Sequence, residues 1–540
     1  MTANGVAPAT LAEAMIQTLK SYGVKFLFGV PGGGSSLDLI AAADAAGMKF
    51  ILCRGETAAA LSASVTAELT GAPGVVLTAI GPGAASAVNG MAYAHLERAS
   101  LLLICDSREA GEKLPPHQVF DLQALFRPLV KGGVRLVPET GAAQFAELVA
   151  LTLRPPEGPA LVELSADDAA RSVAPQTDVG GAMNSAVQPV GDIPQSVSDL
   201  LAGSRRPILL IGLQAAHPDI GSALLRFGER LGCPIMTSYK AKGAVADSHP
   251  QLIGHLTGAN SEAAAMHGAD LIVWAGVEPV ELIPAPWRAA APVLALSDRA
   301  GLDYPVTPAA EWIAPLAPGI SALTEGRQRS VWLANEIVAL KDGMAQRLQL
   351  AAGDGHTAET VVTATFAAAE SDTRYTVDAG AHMISVMARI EASEARQVLK
   401  STGLSTMGFA LPAAIASALV EPERHTIAFT GDGGLLMCLA ELSTAAHLGC
   451  RLTVIVLNDA ALSLIDIKQQ RRQQPPVGVR YPAVNFAATA RGQGCRAWTV
   501  GSHEPLQPVL AEALAHDGTG LIDITVDPTP YGDQLAALRG

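Results

Sequence analysis

Two acids stand at the ends of apolar runs in the stretch "HTIAFTGDGGLLMCLAELSTAAHLGCRLTVIVLNDA", residues 425–460. Asp432 lies between glycines after "HTIAFT", and Asp459 follows "RLTVIVLN". Both runs read as buried parallel strands, and 435–448 between them has a helical pattern. A strand–helix–strand crossover returns the chain to the same edge of a sheet, so the two carboxylates converge. Carboxylate oxygens suit a hard cation such as Mg2+, which takes one or two of them and completes its shell with phosphate oxygens. Gly431, Gly433 and Gly434 let the backbone turn sharply and approach a ligand closely, and a helix starting there offers N–H donors to phosphate. Taken alone, Asp-Gly is an ordinary turn and Asn-Asp an ordinary loop cap. The pairing of 432 with 459 is what points to chemistry.

Such a pair needs an α/β sheet to hold it, and the chain reads that way throughout. In 1–175 the runs "FLFGV", "FILCR", "GVVLTAI", "LLLICD" and "ALVEL" alternate with helical patterns, as in βαβ units around a parallel sheet. The same style recurs over 190–340 with "PILLIG", "PIMTS", "DLIVWAG" and "VLALS". It recurs again over 355–530 with "YTVDAG", "HTIAFTGDGG", "LTVIVLND" and "GLIDITV". Pro/Gly/polar stretches at 173–194 and 341–360 read as linkers. The expected fold class is therefore α/β, as three consecutive domains with mostly parallel sheets. The 540 residues allow three such units, and 49% hydrophobic residues supply their cores. A net charge of −14 without a Lys/Arg block argues against nucleic acid or an anionic membrane as partner. Six scattered Cys without a CxxC pair read as reduced thiols in a cytoplasmic protein. The N-terminus reads as a helix capped near Thr10 rather than a signal peptide, and no apolar run is long enough to span a membrane.

The 432/459 pairing resembles the diphosphate motif of thiamine-diphosphate (ThDP) enzymes, which reads GDG and, one strand later, NN. Other segments resemble the same family in the same order. "FGVPGGGSSLDLI" (28–40) looks like its glycine loop, and "RGETAAALSASVTAELTG" (54–71) like the segment of its cofactor-activating glutamate. "TAIGPGAASAVNGMAYAHLERASLLLI" (78–104), "HQVFDLQALFRPLVK" (117–131) and "TGLSTMGFALPAAIASAL" (402–419) are similar to acetolactate-synthase-like members. The resemblance spans nearly the whole chain. It implies an N-terminal pyrimidine-binding domain, a Rossmann-like central domain and a C-terminal diphosphate-binding domain.

The resemblance also implies roles. Glu56 would bond the cofactor's aminopyrimidine and activate it. Met407 would prop the cofactor in its bent form, and the Ser405 carbonyl would meet the 4′-amino group. Asp432, Asp459 and the Ala461 backbone oxygen would ligate Mg2+, with Asp459 standing where the family usually has Asn. Gly433 and Gly434 would donate to the diphosphate, and Gly380, Ala381 and His382 lie where further diphosphate contacts are made. Gly431, Leu462 and Ile465 complete the cofactor set. Gln118 would face the bound substrate, and Gly33 would place its backbone beside the thiazolium ring. Each has an ordinary alternative: a salt-bridge glutamate, a core methionine, a surface amide, a turn glycine.

The implied activity is a lyase or carboligase acting on a 2-oxo acid. It would decarboxylate a donor and join the fragment to an acceptor carbonyl, with active sites between the subunits of a homodimer or homotetramer. Ile465 falls where pyruvate decarboxylases carry a catalytic glutamate, and Gly81 where benzoylformate decarboxylases carry a histidine. The apolar residue at 465 favours ligation over release of an aldehyde. Simple decarboxylation and a catalytically silent ThDP-binding subunit stay open as alternatives. Lys468 stands about where related synthases carry a tryptophan, and reads either as an anion-reading group at the mouth of the site or as a solvated charge. Flavin-binding relatives carry "GARFDDR" after the strand that here reads "DLIVWAG"; this chain continues "VEPVELIP", and the missing Arg speaks against FAD.

Overall fold

The computed structural model describes residues 9–109, 111, 117–174, 190–258, 260–282, 287–349 and 351–539. Most of the linker expected over 173–194 lies outside the described residues. The chain divides into two compact units, the first comprising the stretch up to Ser185 together with Leu411–Pro422 and Cys438–Cys450.

The first unit holds six strands: β1 Phe26–Val30, β2 Lys49–Leu52, β3 Gly74–Thr78, β4 Leu101–Ser107, β5 Gly133–Arg135 and β6 Pro159–Ser165. Their order is β2-β1-β3-β4-β6-β5, with every pairing parallel. All five residues of β3 are buried, as a sheet covered on both faces requires. Helix α1 (Leu11–Ser21) starts with a capping box: Thr10 Oγ1 accepts from Glu13 N at 3.2 Å, and Glu13 Oε2 accepts from Thr10 N at 2.7 Å. Helix α2 is Ser35–Ala45, and α3 is Glu56–Thr70. From Ala58 to Ala67 every residue of α3 is buried. Small side chains make that possible: a Cβ on Gly90 would stand 2.3 Å from Ala60 Cβ, and one on Gly74 2.2 Å from Ala63 O.

The N-terminus of α3 is finished from far along the chain. Glu441, on the helix Glu441–Leu448, accepts from Arg54 N at 2.8 Å and Gly55 N at 3.0 Å through Oε1, and from Thr444 Oγ1 at 2.7 Å through Oε2. Ser62 of α3 donates to Pro412 O at 2.9 Å. Helix starts leave backbone donors unsatisfied, and here a buried carboxylate takes two just ahead of Glu56.

The second unit holds two sheets. The middle one has β7 Pro207–Ile211, β8 Ile235–Thr237, β9 Leu252–His255, β10 Leu271–Ala275, β11 Val293–Ser297 and β12 Ala310–Ile313, in the order β12-β11-β10-β7-β8-β9. Counted from its own first strand this is the doubly wound order 3-2-1-4-5-6, which reverses between β7 and β10. The C-terminal sheet has β13 Arg374–Val377, β14 Val398–Lys400, β15 Thr426–Gly431, β16 Leu452–Asn458, β17 Arg496–Val500 and β18 Thr519–Thr525. Its order, β14-β13-β15-β16-β18-β17, repeats that of the first sheet. These pairings too are all parallel. Three six-stranded parallel sheets with crossover helices are the expected fold class.

Two local expectations are corrected. The linker expected over 341–360 begins in a helix, Ala334–Arg347, held by buried Ile337 and Met344 and by an Arg206–Glu336 ion pair at 3.2 Å. The helix expected over 435–448 starts earlier, at Asp432, and is interrupted into Asp432–Leu436 and Glu441–Leu448. The interruption sets Glu441 at the start of its own helix.

Replacing Glu441 by Ala should leave two part-buried backbone N–H groups and the buried Thr444 hydroxyl without their acceptor. We expect a loss of about 1.5–3 kcal/mol of stability, read as a lower thermal unfolding midpoint. An unchanged midpoint would show that this clamp contributes nothing.

Candidate active site

The C-terminal sheet carries a cavity of about 250 Å3 at the carboxyl ends of β13, β15 and β16. Thirteen residues singled out from the sequence line it: Gly380, Ala381 and His382; Ser405 and Met407; Gly431, Asp432, Gly433 and Gly434; Asp459, Ala461, Leu462 and Ile465. Ile465 is apolar and 43% exposed there. Lys468 is exposed one turn further along the helix Ser463–Arg471 and does not line the cavity.

The glycines serve close approach rather than a sharp turn. Gly431 has φ −82°, and neither Gly433 nor Gly434 has positive φ. A Cβ on Gly434 would stand 2.4 Å from Asp378 Oδ2, and one on Gly433 2.6 Å from Leu462 Cδ2. The backbone strain sits instead at Ser405 (φ 51°) and Ala460 (φ 55°), non-glycine residues in the left-handed region. Such strain costs of order 1–3 kcal/mol and gathers at ligand sites.

Asp432 is 3% exposed. Its Oδ1 accepts from Gly433 N at 2.7 Å, while Oδ2 is buried without a hydrogen-bond partner. The Tyr481 hydroxyl beside it is also buried and has no partner of good geometry. Burial pushes the Asp432 carboxyl up, against the Gly433 N–H. Burial likewise pushes Asp459 up to about 7; the Ser463 hydroxyl, donating at 2.6 Å, opposes the rise, and the Asp432 charge adds to it. Burial lowers His382 to about 4, so its ring is neutral near pH 7, and its Nε2 is buried without a partner. Two buried carboxyls pushed up by burial, an orphan oxygen and an orphan ring nitrogen form a site that a cation carrying an anionic ligand would satisfy. Among the described residues no three His, Cys, Asp or Glu gather as a metal cluster. A cation here would therefore complete its shell with backbone, water or ligand oxygens.

Sequence reasoning missed several supports of this site. Asp378, fully buried at the end of β13, accepts from Ala379 N (2.9 Å), Gly408 N (3.1 Å), Phe409 N (3.3 Å) and Thr430 Oγ1 (2.9 Å). It thereby fastens three cavity loops at once. Burial pushes its carboxyl up to about 6, against these donors. Tyr481 reaches Asp432 through a clip in which Leu462 N donates to Val479 O at 2.7 Å and Tyr481 N to Ala460 O at 3.2 Å. Tyr531, at the start of the helix Tyr531–Arg539, also lines the cavity. The signal available was an acid directly after a strand and two residues ahead of a glycine, as in "YTVDAG".

The first unit gathers the other candidates at its own carboxyl edge. Glu56 is half-buried as the first residue of α3, and a Cβ on Gly83 would stand 3.2 Å from its Oε1. The Gln118 carbonyl rests on Gly81, where a Cβ would come within 1.9 Å, and Gln118 itself has φ 59°. Gly33 is exposed, with open space where a side chain would be. Its loop is fastened by Asp106, another missed residue, which accepts from Gly34 N at 3.2 Å and from the hydroxyls of Ser35 and Ser36 and Ser36 N at 2.8 Å.

Comparison with known proteins fits this arrangement. The N-terminal thiamine pyrophosphate (TPP)-binding domain of thiamine pyrophosphate enzymes matches residues 9–125, their central domain 195–299 and their C-terminal TPP-binding domain 378–524. The catabolic acetolactate synthase of Raoultella terrigena is 29% identical over 96% of this chain and 95% of its own length. The pyruvate oxidase of Lactiplantibacillus plantarum is 26% identical over 95% of this chain and 88% of its own. Among solved structures, the ThDP-dependent 4-hydroxybenzoylformate decarboxylase of Rhodococcus jostii RHA1 superposes with a TM-score of 0.83 over 96% of this chain and 99% of its own, at 20% identity, a likeness of fold. With all three parts matched in order over more than half of its length, the chain belongs to the thiamine pyrophosphate enzyme family and is a ThDP-dependent enzyme.

Proposed function

We propose that this enzyme is a ThDP- and Mg2+-dependent carboligase. It decarboxylates a 2-oxo acid and joins the retained fragment to an acceptor carbonyl, as acetolactate synthase does. The observation that carries this reading is the shortage of proton donors at the cavity. Its ionisable lining residues are Asp432, Asp459, the neutral His382 and Tyr531, and the two acids would hold the cation. Ile465 presents an apolar surface where an acid could otherwise deliver a proton to the nascent product. An acceptor carbonyl then competes well with a proton.

ThDP, when bound, supplies the electron sink for decarboxylation. Asp432, Asp459 and the Ala461 carbonyl would hold Mg2+, and the backbone N–H groups of Gly433 and Gly434 and the His382 ring would face the diphosphate. Met407 would support the ring system from the loop that Asp378 fastens. Glu56 would hold and exchange a proton at the aminopyrimidine, with Gly33 and Gln118 beside the reacting end. Glu56 of one protomer and Asp432 of another would serve one cofactor, so the working unit is a homodimer or homotetramer. No helix among the described residues is long and apolar enough to cross a membrane. Six cysteines outside any disulfide, five of them buried, fit a reducing compartment such as the cytoplasm.

With ThDP, Mg2+ and pyruvate or another 2-oxo acid, the product should be a hydroxyketone by mass. Free aldehyde as the sole product across a panel of donors and acceptors would replace ligation by simple decarboxylation. Ile465→Glu should move the product ratio toward aldehyde.

For Glu56→Gln we expect ThDP affinity within about tenfold of wild type and turnover lower by about 10²-fold or more. Wild-type turnover in that variant would remove Glu56 from the chemistry.

Lys468, outside the cavity but one turn from Ile465, would read an anionic acceptor. Its loss in Lys468→Ala should lower kcat/KM for a charged acceptor by about tenfold or more and leave an uncharged one unchanged. Equal effects on both would make Lys468 a solvated surface group.

A further inference from the structure

An open doubly wound sheet binds its ligands outside the carboxyl ends of the strands, where the strand order reverses. In the middle sheet that place lies between β7 and β10. Here it is filled from within. Gly212 follows β7 and Gly276 follows β10, and a Cβ on Gly212 would stand 2.3 Å from Val277 Cα and 2.7 Å from Glu281 Oε2. Gln214 N donates to Gly276 O at 3.0 Å, which ties the two loops together.

Glu281 sits in this seam, 5% exposed. Its Oε2 accepts from Leu213 N at 2.7 Å and from Glu278 N at 2.8 Å, and its Oε1 accepts from the Ser238 hydroxyl. Glu278, fully buried beside it, accepts from Gln214 Nε2 at 2.9 Å and pairs with Arg299 at 3.3 Å. Backbone donors from both sides of the reversal point and one hydroxyl thus converge on a single oxyanion. That is the kind of donor set with which a loop cradles a ligand phosphate. A nucleotide pyrophosphate entering here would meet a carboxylate already holding those donors and a second one behind it.

We infer that the reversal-point crevice of the middle sheet is an anion site whose resident ligand is the Glu281 carboxylate, and that it is thereby closed to the pyrophosphate of a flavin or adenine dinucleotide. The residues present do not fit FAD. This crevice is independent of the proposed carboligation, whose residues lie on the first and the C-terminal sheets.

Burial pushes the Glu281 carboxyl up to about 7 against its hydrogen bonds, so the test belongs at ~pH 8, where the carboxylate form prevails. Glu281→Ala, in the full chain with ThDP and Mg2+, should open a carboxylate-sized space with its donors intact. Acetate at ~0.1 M should then raise the variant's Tm by about 2–4 °C over equal chloride and leave wild type unmoved. No acetate effect on the variant, or the same effect on wild type, would overturn the assignment. Glu281→Gln keeps the space filled and should not respond; a response there would also overturn it. Equilibrium dialysis of wild type against FAD and against ADP needs no variant, and stays decisive if Glu281→Ala does not fold. We expect no retention of either, and stoichiometric binding of one would show the crevice open.

Discussion

A strand can be followed by a parallel neighbour only after the chain has crossed back to its starting end. With all three sheets parallel, the chain leaves every strand of a sheet at the same edge. Side chains that meet ligands therefore collect at one edge of each sheet. The loop after β13, the loop after β15 and the loop after β16 are brought together by this constraint, though their cavity residues lie far apart in sequence, from Ala379 to Ile465.

Crowding three loops on one edge exposes their backbone N–H groups to each other without water. The structure answers repeatedly with a buried carboxylate. Asp106 holds the glycine loop of the first sheet, Asp378 the Met407 loop, Glu281 the two middle loops and Glu441 the start of α3. Each must lose hydration, and burial raises Asp378 to about 6 and Glu281 to about 7. Multiple charge-assisted hydrogen bonds offset that loss and fix loop positions within a narrow range. Asp432 differs, because it keeps an unpartnered oxygen. The same residue type thus fastens loops where its donors are complete and remains available to a ligand where they are not.

What the sequence made legible follows from the same physics. The strands recognised in it are mostly interior ones, whose two covered faces require continuous apolar runs such as "LTVIVLN". Those it hid, β5, β9, β12, β14 and β17, all lie at sheet edges. They are short or partly exposed, so no run of apolar residues marks them. The C-terminal cavity residues were legible because local motifs carry them. Asp106, Asp378, Glu441 and Tyr481 were not, since each acts on a segment distant in sequence. Of the two roles read for Gly433 and Gly434, a sharp turn and a close approach, the turn does not hold: neither has positive φ, and it is the close neighbours Leu462 and Asp378 that exclude a side chain.

The interruption after Leu436 bears on how the gene could be divided. Leu411–Pro422 and Cys438–Cys450 belong to the first unit, while Glu423–Met437 and Arg451 onward belong to the second. The polypeptide therefore changes unit several times within about forty residues. A fragment ending at residue 174 would contain β1 to β6, yet it would lack the Glu441 carboxylate that completes the start of α3 and the Pro412 carbonyl that receives Ser62. The three sheets consequently do not correspond to three exchangeable cassettes. Chimaeras between relatives would need to carry the 411–422 and 438–450 segments from the same parent as the N-terminal sheet, even though they are encoded hundreds of bases downstream.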